Sequence, residues 1–179
     1  MLFLISPAKT LDYDSPIAPA TERAATEPAF MDRAAALIAL LKPQTPAQIA
    51  SLMDLSDDLA ALNVGRYAAW QPHNTAANSR PAALAFNGDV YEGLQAATLT
   101  RAQLAWAQEH LVILSGLYGA MRPLDRLQPY RLEMGTRLAN PAGRDLYAYW
   151  GDTVADYLNA RVAADKTPVI VNLRSEERR

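Results

Sequence analysis

The chain has 179 residues, half of them hydrophobic and a fifth charged, which suits one folded domain with a sizeable core and excludes bulk disorder. Its 17 basic and 19 acidic side chains leave a formal net charge of -2, so overall charge offers nucleic acid no attraction and any polyanion contact must be a local patch. Cysteine is absent, which excludes a disulfide framework, a thiolate nucleophile and a thiolate metal site.

The apolar run at residues 1–5 has no basic region before it. It is far too short for a signal peptide or a membrane span. A cytoplasmic protein with no membrane partner is the expectation, and residues 2–6 read as a first strand. Residues 21–41 are alanine-rich and read as a helix, with Pro28 near its start or breaking it. Thr45 followed by Pro46 makes an N-cap with proline at the first helical position. Residues 57–70 form the next helix, with Leu59, Leu62 and Arg66 at helical spacing. Residues 71–81 are polar and carry two prolines, a loop. Residues 82–86 read as a second strand. A helix over 100–109, capped by Thr100, precedes a third strand at 111–115. Residues 145–164 carry an apolar stripe that includes Leu146, Trp150, Val154 and Leu158. The last strand is at 169–173.

These strand runs are apolar throughout, as expected of strands covered on both faces. The fold expected is therefore α/β: a central, largely parallel or mixed sheet flanked by helices, in a single domain over 1–179. An inserted helical hairpin at 45–70 resembles a helix-hairpin-helix. That motif binds DNA phosphates through the hairpin backbone and the start of its second helix. Ile49, Leu52, Leu55, Leu59 and Leu62 are its expected small core. The hairpin lacks the usual glycines, and Asp57 and Asp58 would repel phosphate; a plain helical hairpin is the competing reading.

Candidate chemistry follows each strand. Ser6, Lys9 and Thr10 follow the first; Asn87, Gly88, Asp89 and Tyr91 the second. Ser115, Gly116, Tyr118 and Gly119 close the third, and Asn172 the fourth. Open α/β sheets bind ligands beyond the carboxyl ends of their strands, so parallel strands would bring these residues to one pocket for a small-molecule ligand. Asp89, Lys9 and Ser115 are then the catalytic candidates: an acid/base, a phosphate ligand and a hydroxyl. Ordinary turns with capping residues are the alternative. A second feature is arginine-rich. Arg122, Arg126, Arg131 and Arg137 lie among Tyr118 and Tyr130, a composition suited to phosphate contact and base stacking. Pairing with Asp125 and Glu133 in an irregular loop accounts for it equally.

Other signatures fail. There is no Walker A loop and no dinucleotide fingerprint. Ser6-Pro7-Ala8-Lys9 matches an acyl-enzyme serine motif whose partner motifs are missing. His73 and His110 are not spaced as a metal pair, and Asp12 with Asp14 makes a poor cation site. No metal or cofactor is expected.

Four blocks carry a family resemblance: Ser6-Pro7-Ala8-Lys9-Thr10-Leu11-Asp12, Phe86-Asn87-Gly88-Asp89-Val90-Tyr91, Leu114-Ser115-Gly116-Leu117-Tyr118-Gly119 and Gln128-Pro129-Tyr130-Arg131-Leu132-Glu133-Met134-Gly135. In sequence, order and spacing they resemble the signature blocks of the YaaA family. The resemblance implies a role in the response to hydrogen peroxide, in which free iron is lowered and iron-dependent damage limited. It also implies sequence-independent binding of duplex or branched DNA by a positive cleft and a helix-hairpin-helix. On this chain the cleft would draw on Lys9, Arg66, Arg122, Arg126, Tyr130, Arg131 and Arg137. Relative to the family pattern the chain looks short after the strand at 169–173, which would leave a sheet edge exposed. The competing function is an enzyme acting on a nucleotide, nucleobase or modified nucleic-acid component through the strand-end pocket. A direct iron-binding protein ranks last.

Overall fold

The structure is a computed structural model that describes residues 1–163 and 165–173. Ala164 and residues 174–179, which include the terminal run read as a departure from the family pattern, lie outside the described residues.

In chain order the elements begin with β1 (Leu2–Ile5), β2 (Thr10–Leu11), α1 (Pro19–Arg23), α2 (Met31–Leu41), α3 (Pro46–Met53) and α4 (Asp57–Ala69). Next come β3 (Arg80–Pro81), α5 (Ala82–Ala85), β4 (Phe86–Asn87), α6 (Asp89–Leu94), a 3-10 turn (Ala96–Thr98) and α7 (Arg101–His110). The chain continues through β5 (Leu111–Ser115), β6 (Gly119–Met121), β7 (Arg126–Leu127), α8 (Leu146–Trp150), α9 (Thr153–Val162) and β8 (Ile170–Asn172).

The main sheet has strand order β6-β5-β1-β8. β1 pairs in parallel with β5 and β8, while β6 returns antiparallel to β5. The sheet is thus mixed, flanked by helices, with α3 and α4 forming the hairpin. Period-two alternation sorts the β1 side chains. Leu2 and Leu4 join Val112, Ala120, Leu158 and Val162 on one face, under α9. Phe3 and Ile5 join Leu111 and Ile113 on the other, with Leu37, Ile38 and Leu41 of α2 and Tyr67 of α4. The predicted caps form: Thr45 with Gln48, and Thr100 with Gln103, each make a reciprocal capping box.

Four expectations need correction. Residues 82–86 are not a sheet strand. Ala82–Ala85 is a single helical turn, and the Ala82 and Ala83 N–H groups donate to the carbonyls of Asp125 and Pro123. An alanine-rich run is as apolar as a strand, and a distant backbone partner decided its conformation. β8 is not covered on both faces: among the described residues it is an edge strand of the sheet, with Ile170 40% and Leu173 56% exposed. Leu59 and Leu62 do not belong to the hairpin core but point outward, and α4 buries Ala60, Asn63 and Tyr67 instead. The long helix expected at 145–164 is divided at Gly151, whose φ of +46° ends α8, while the run at 21–41 breaks around Pro28, as that proline allowed.

One contact fixes the upper edge of the sheet. A Cβ added to Gly116 would lie 2.2 Å from the carbonyl oxygen of Leu132, so the loop after β7 passes directly over the end of β5. Gly116→Ala is expected to destabilise the protein by about 3 kcal/mol, because backbone cannot yield as a flexible side chain can. A urea midpoint unchanged from wild type would contradict that packing.

Candidate functional site at the carboxyl end of the sheet

β1 delivers Ser6 to the upper edge, and the chain then doubles into β2. Thr10 pairs with Asn87 and Leu11 with Phe86 in a short antiparallel ladder between β2 and β4. The Tyr91 hydroxyl donates to the Ser6 carbonyl at 2.9 Å, and Gly88 packs beside Ala8. Ser6, Lys9, Thr10, Asn87, Gly88 and Tyr91 therefore meet, although the segment before Asn87 is no sheet strand. Lys9, Thr10, Asn87 and Asp89 are exposed and Tyr91 is buried.

The third cluster is built differently. Ser115 is 1% exposed. Its hydroxyl is bonded to that of Tyr130 at 2.5 Å and accepts from the Tyr118 N–H at 3.0 Å. The Tyr118 hydroxyl accepts from Trp70 Nε1 at 3.0 Å and from the Gln128 N–H at 3.1 Å. The Tyr118 and Tyr130 rings meet edge to face. Gly119, at φ +70°, seats the Trp150 ring, whose Nε1 donates to the Gly116 carbonyl. This is a buried polar network of the kind that fixes one geometry when every member is satisfied. It makes Ser115 an anchor for the loop over β5. Asn172 lies on the exposed edge strand, opposite Leu4 in the register.

The cations fall into separate groups. Glu133 Oε1 lies 3.2 Å from Arg131 Nη2 and 3.7 Å from Lys9 Nζ. The Arg131 carbonyl accepts from the Tyr67 hydroxyl. Arg66, one residue earlier on α4, donates to Asn63 Oδ1 at 3.3 Å. Burial holds the Arg66 pKa below the usual arginine range, and the nearby positive charge of Arg131 adds to that effect. Lys9 and Arg131 thus meet at Glu133 from two segments, and Arg66 of α4 lies near enough to Arg131 for the two charges to act on each other. Arg122 stands elsewhere. It pairs with Asp125 at 3.0 Å and lines a cavity of about 450 Å³ with Met1, His110 and Arg161, at the amino end of the sheet. Arg126 pairs with Glu22, and Arg137 is exposed. Both acidic partners considered for the arginine segment, Asp125 and Glu133, are engaged.

Sequence reasoning overlooked three contributors: Tyr13, Tyr67 and Trp70. Tyr13 donates to the Leu127 carbonyl at 2.5 Å and lies under the Arg80 guanidinium. Tyr67 shares the buried face of α4 with Ala60 and Asn63, and that i, i+3, i+7 spacing was the available signal.

With this geometry in place, the comparisons decide the family. The sequence model described as "Peroxide stress protein YaaA" matches residues 1–178. The chain belongs to the YaaA family. A UPF0246 protein of Leptothrix cholodnii is 66% identical over 177 residues, covering 99% of this chain and 67% of its own length. A UPF0246 protein of Bordetella pertussis is 65% identical over 177 residues, covering 99% of this chain and 68% of its own. The chain thus spans about two thirds of the length of these YaaA-family relatives. Among the described residues no helix is long and apolar enough to cross a membrane.

The tyrosine network makes a prediction for alkaline pH. Burial pushes the Tyr118 hydroxyl up to about 12, against the opposing effect of its bonds from Trp70 and Gln128. Burial also raises Tyr13, Tyr67, Tyr91 and Tyr130. Unfolded tyrosine titrates near its ordinary value of 10.0. The native state therefore binds more protons above that pH, and stability falls as pH rises from about 10 toward 12. The unfolding free energy is expected to be lower by about 1 kcal/mol or more near pH 11 than near pH 9. A urea midpoint flat across that window would contradict the buried network.

Proposed function

We propose that this YaaA-family chain serves the peroxide-stress response by binding DNA through Lys9, Arg66 and Arg131, without reading sequence, and so limits iron-dependent oxidative damage to it. The observation that carries this reading is the convergence of three cations from the turn after β1, from α4 and from the loop after β7, within a protein of net charge -2. Folding that assembles like charges from distant segments works against their repulsion, and a polyanionic partner would offset it. The Tyr67 hydroxyl, bonded to the Arg131 carbonyl, holds the backbone of that arginine in place, and no cofactor is invoked.

The reading moves the contact along the α3–α4 hairpin. The hairpin turn is acidic: Asp54 sits at its left-handed cap, and Asp57 and Asp58 open α4. Those carboxylates oppose phosphate at the site a helix-hairpin-helix would use. Arg66 lies at the other end of α4, roughly 13 Å further along the helix axis.

Binding of a fluorescent duplex and a branched junction, followed by anisotropy at two salt concentrations, tests this. Wild type is expected to bind both substrates, more weakly at high salt. The Arg66→Ala/Arg131→Ala pair is expected to lower the salt slope by about 2, with roughly 0.9 lost per phosphate contact. Arg122→Ala, at the opposite edge, is expected to leave the slope unchanged. Absence of binding at low salt, or equal loss in Arg122→Ala, would overturn the proposal.

A further inference from the structure

Resting on that reading, we propose that the Lys9–Arg66–Arg131 cluster is a receptor for a terminal phosphate, the phosphorylated end of a DNA strand, and that Glu133 is its built-in competitor. The inference starts from one oxygen. Glu133 Oε1 serves both Arg131 Nη2 and Lys9 Nζ. Arg131 Nε is buried and has no hydrogen-bond partner among the described residues. Glu133 Oε1 thus serves two donors while a third, Arg131 Nε, goes without. A phosphate group brings three terminal oxygens to the same position, enough to take the Arg131 fork and the Lys9 ammonium together.

Depth and charge select the kind of phosphate. Side-chain exposure falls from 53% at Lys9 to 30% at Glu133 and 17% at Arg131, so the cluster descends from a rim to a recessed floor. An internal phosphodiester carries a sugar on either side and one negative charge. It can meet the Lys9 rim but is kept from the floor. A terminal monoester is tethered on one side only and carries close to two negative charges at neutral pH. Among the described residues, Lys9 and Arg131 at Glu133, with Arg66 near Arg131, leave an excess of positive charge for such a group to match. On binding, the phosphate takes the place of the Glu133 carboxylate, which swings outward; no covalent bond is made or broken. Glu133 thereby sets the affinity, holding the arginine in position when the site is empty of ligand and yielding only to a more highly charged anion.

The test compares a short duplex bearing 5′-phosphates with the same duplex bearing 5′-hydroxyls, by anisotropy at moderate salt. The phosphorylated duplex is expected to bind about tenfold more tightly. Arg131→Ala is expected to abolish the preference and Glu133→Gln to enlarge it. Lys9→Ala, at the exposed rim, provides a variant that leaves the buried packing intact should Arg131→Ala fail to fold; it is expected to reduce the preference. Equal affinity for the two duplexes, with binding still dependent on salt and on Arg66, would overturn the terminal-phosphate site and leave the DNA reading standing. Binding of neither duplex would overturn both. Displacement of the phosphorylated duplex by deoxyadenosine monophosphate as readily as by an unlabelled phosphorylated duplex would overturn the strand-end assignment, because the ligand would then be a free nucleotide.

Discussion

The close passage of the Leu132 backbone over Gly116 is the constraint on which the upper edge of this protein depends. Only a residue without a Cβ permits it, since that atom would lie 2.2 Å from the Leu132 carbonyl oxygen and 3.1 Å from the carbonyl carbon of Glu133. With the crossing in place, Tyr130 reaches Ser115, the Arg131 carbonyl receives the Tyr67 hydroxyl, and Trp150 Nε1 reaches the Gly116 carbonyl. The first two bonds tie the loop after β7 to β5 and α4, and the third ties α8 to the Gly116 carbonyl at the end of β5. An irregular segment with few ladder bonds of its own is thereby held as firmly as a strand would be.

The same crossing explains the electrostatics. Once residues 130–133 are fixed, Glu133 faces both Arg131 and Lys9. Burial at this spot lowers the Arg66 pKa first of all, and with water's screening weakened there the nearby charge of Arg131 adds a smaller effect of the same sign. The remaining arginines of the segment are spent differently. Arg122 braces the turn around Asp125, whose carboxylate is fully buried, and Arg126 ties β7 to Glu22 of α1. One arginine-rich stretch thus supplies structural ion pairs at one end of the sheet and a charge cluster at the other.

Much of this was legible in the sequence, for local reasons. The apolar runs of β1 and β5 announce buried strands, the run of β8 announces a strand though not its exposure, and Thr-Pro or Thr-Arg followed by glutamine announces a capped helix. What stayed hidden was decided by distant partners. Residues 82–85 became a helical turn because Asp125 and Pro123 offered carbonyls from across the chain. Leu59 and Leu62 read as core, but α4 is rotated so that Ala60, Asn63 and Tyr67 face inward, an outcome set by the Tyr67 bond to Arg131. The candidate residues after β1 and around β4 are joined by a short β2–β4 ladder, whereas those after β5 belong to a separate buried hydroxyl network. The sequence blocks named the participants; the burial of Ser115 and Tyr130, and the separation of Arg122 from Arg131, arise only from tertiary packing.

The most direct measurement is side-chain NMR of the arginine Nε–H groups during titration with duplex DNA. The account predicts that the Arg66 and Arg131 resonances shift and gain protection from exchange as DNA is added, while those of Arg122 and Arg126 stay where they are. Shifts confined to Arg122 and Arg161, at the amino end of the sheet, would contradict it and move the site to the opposite edge of the molecule.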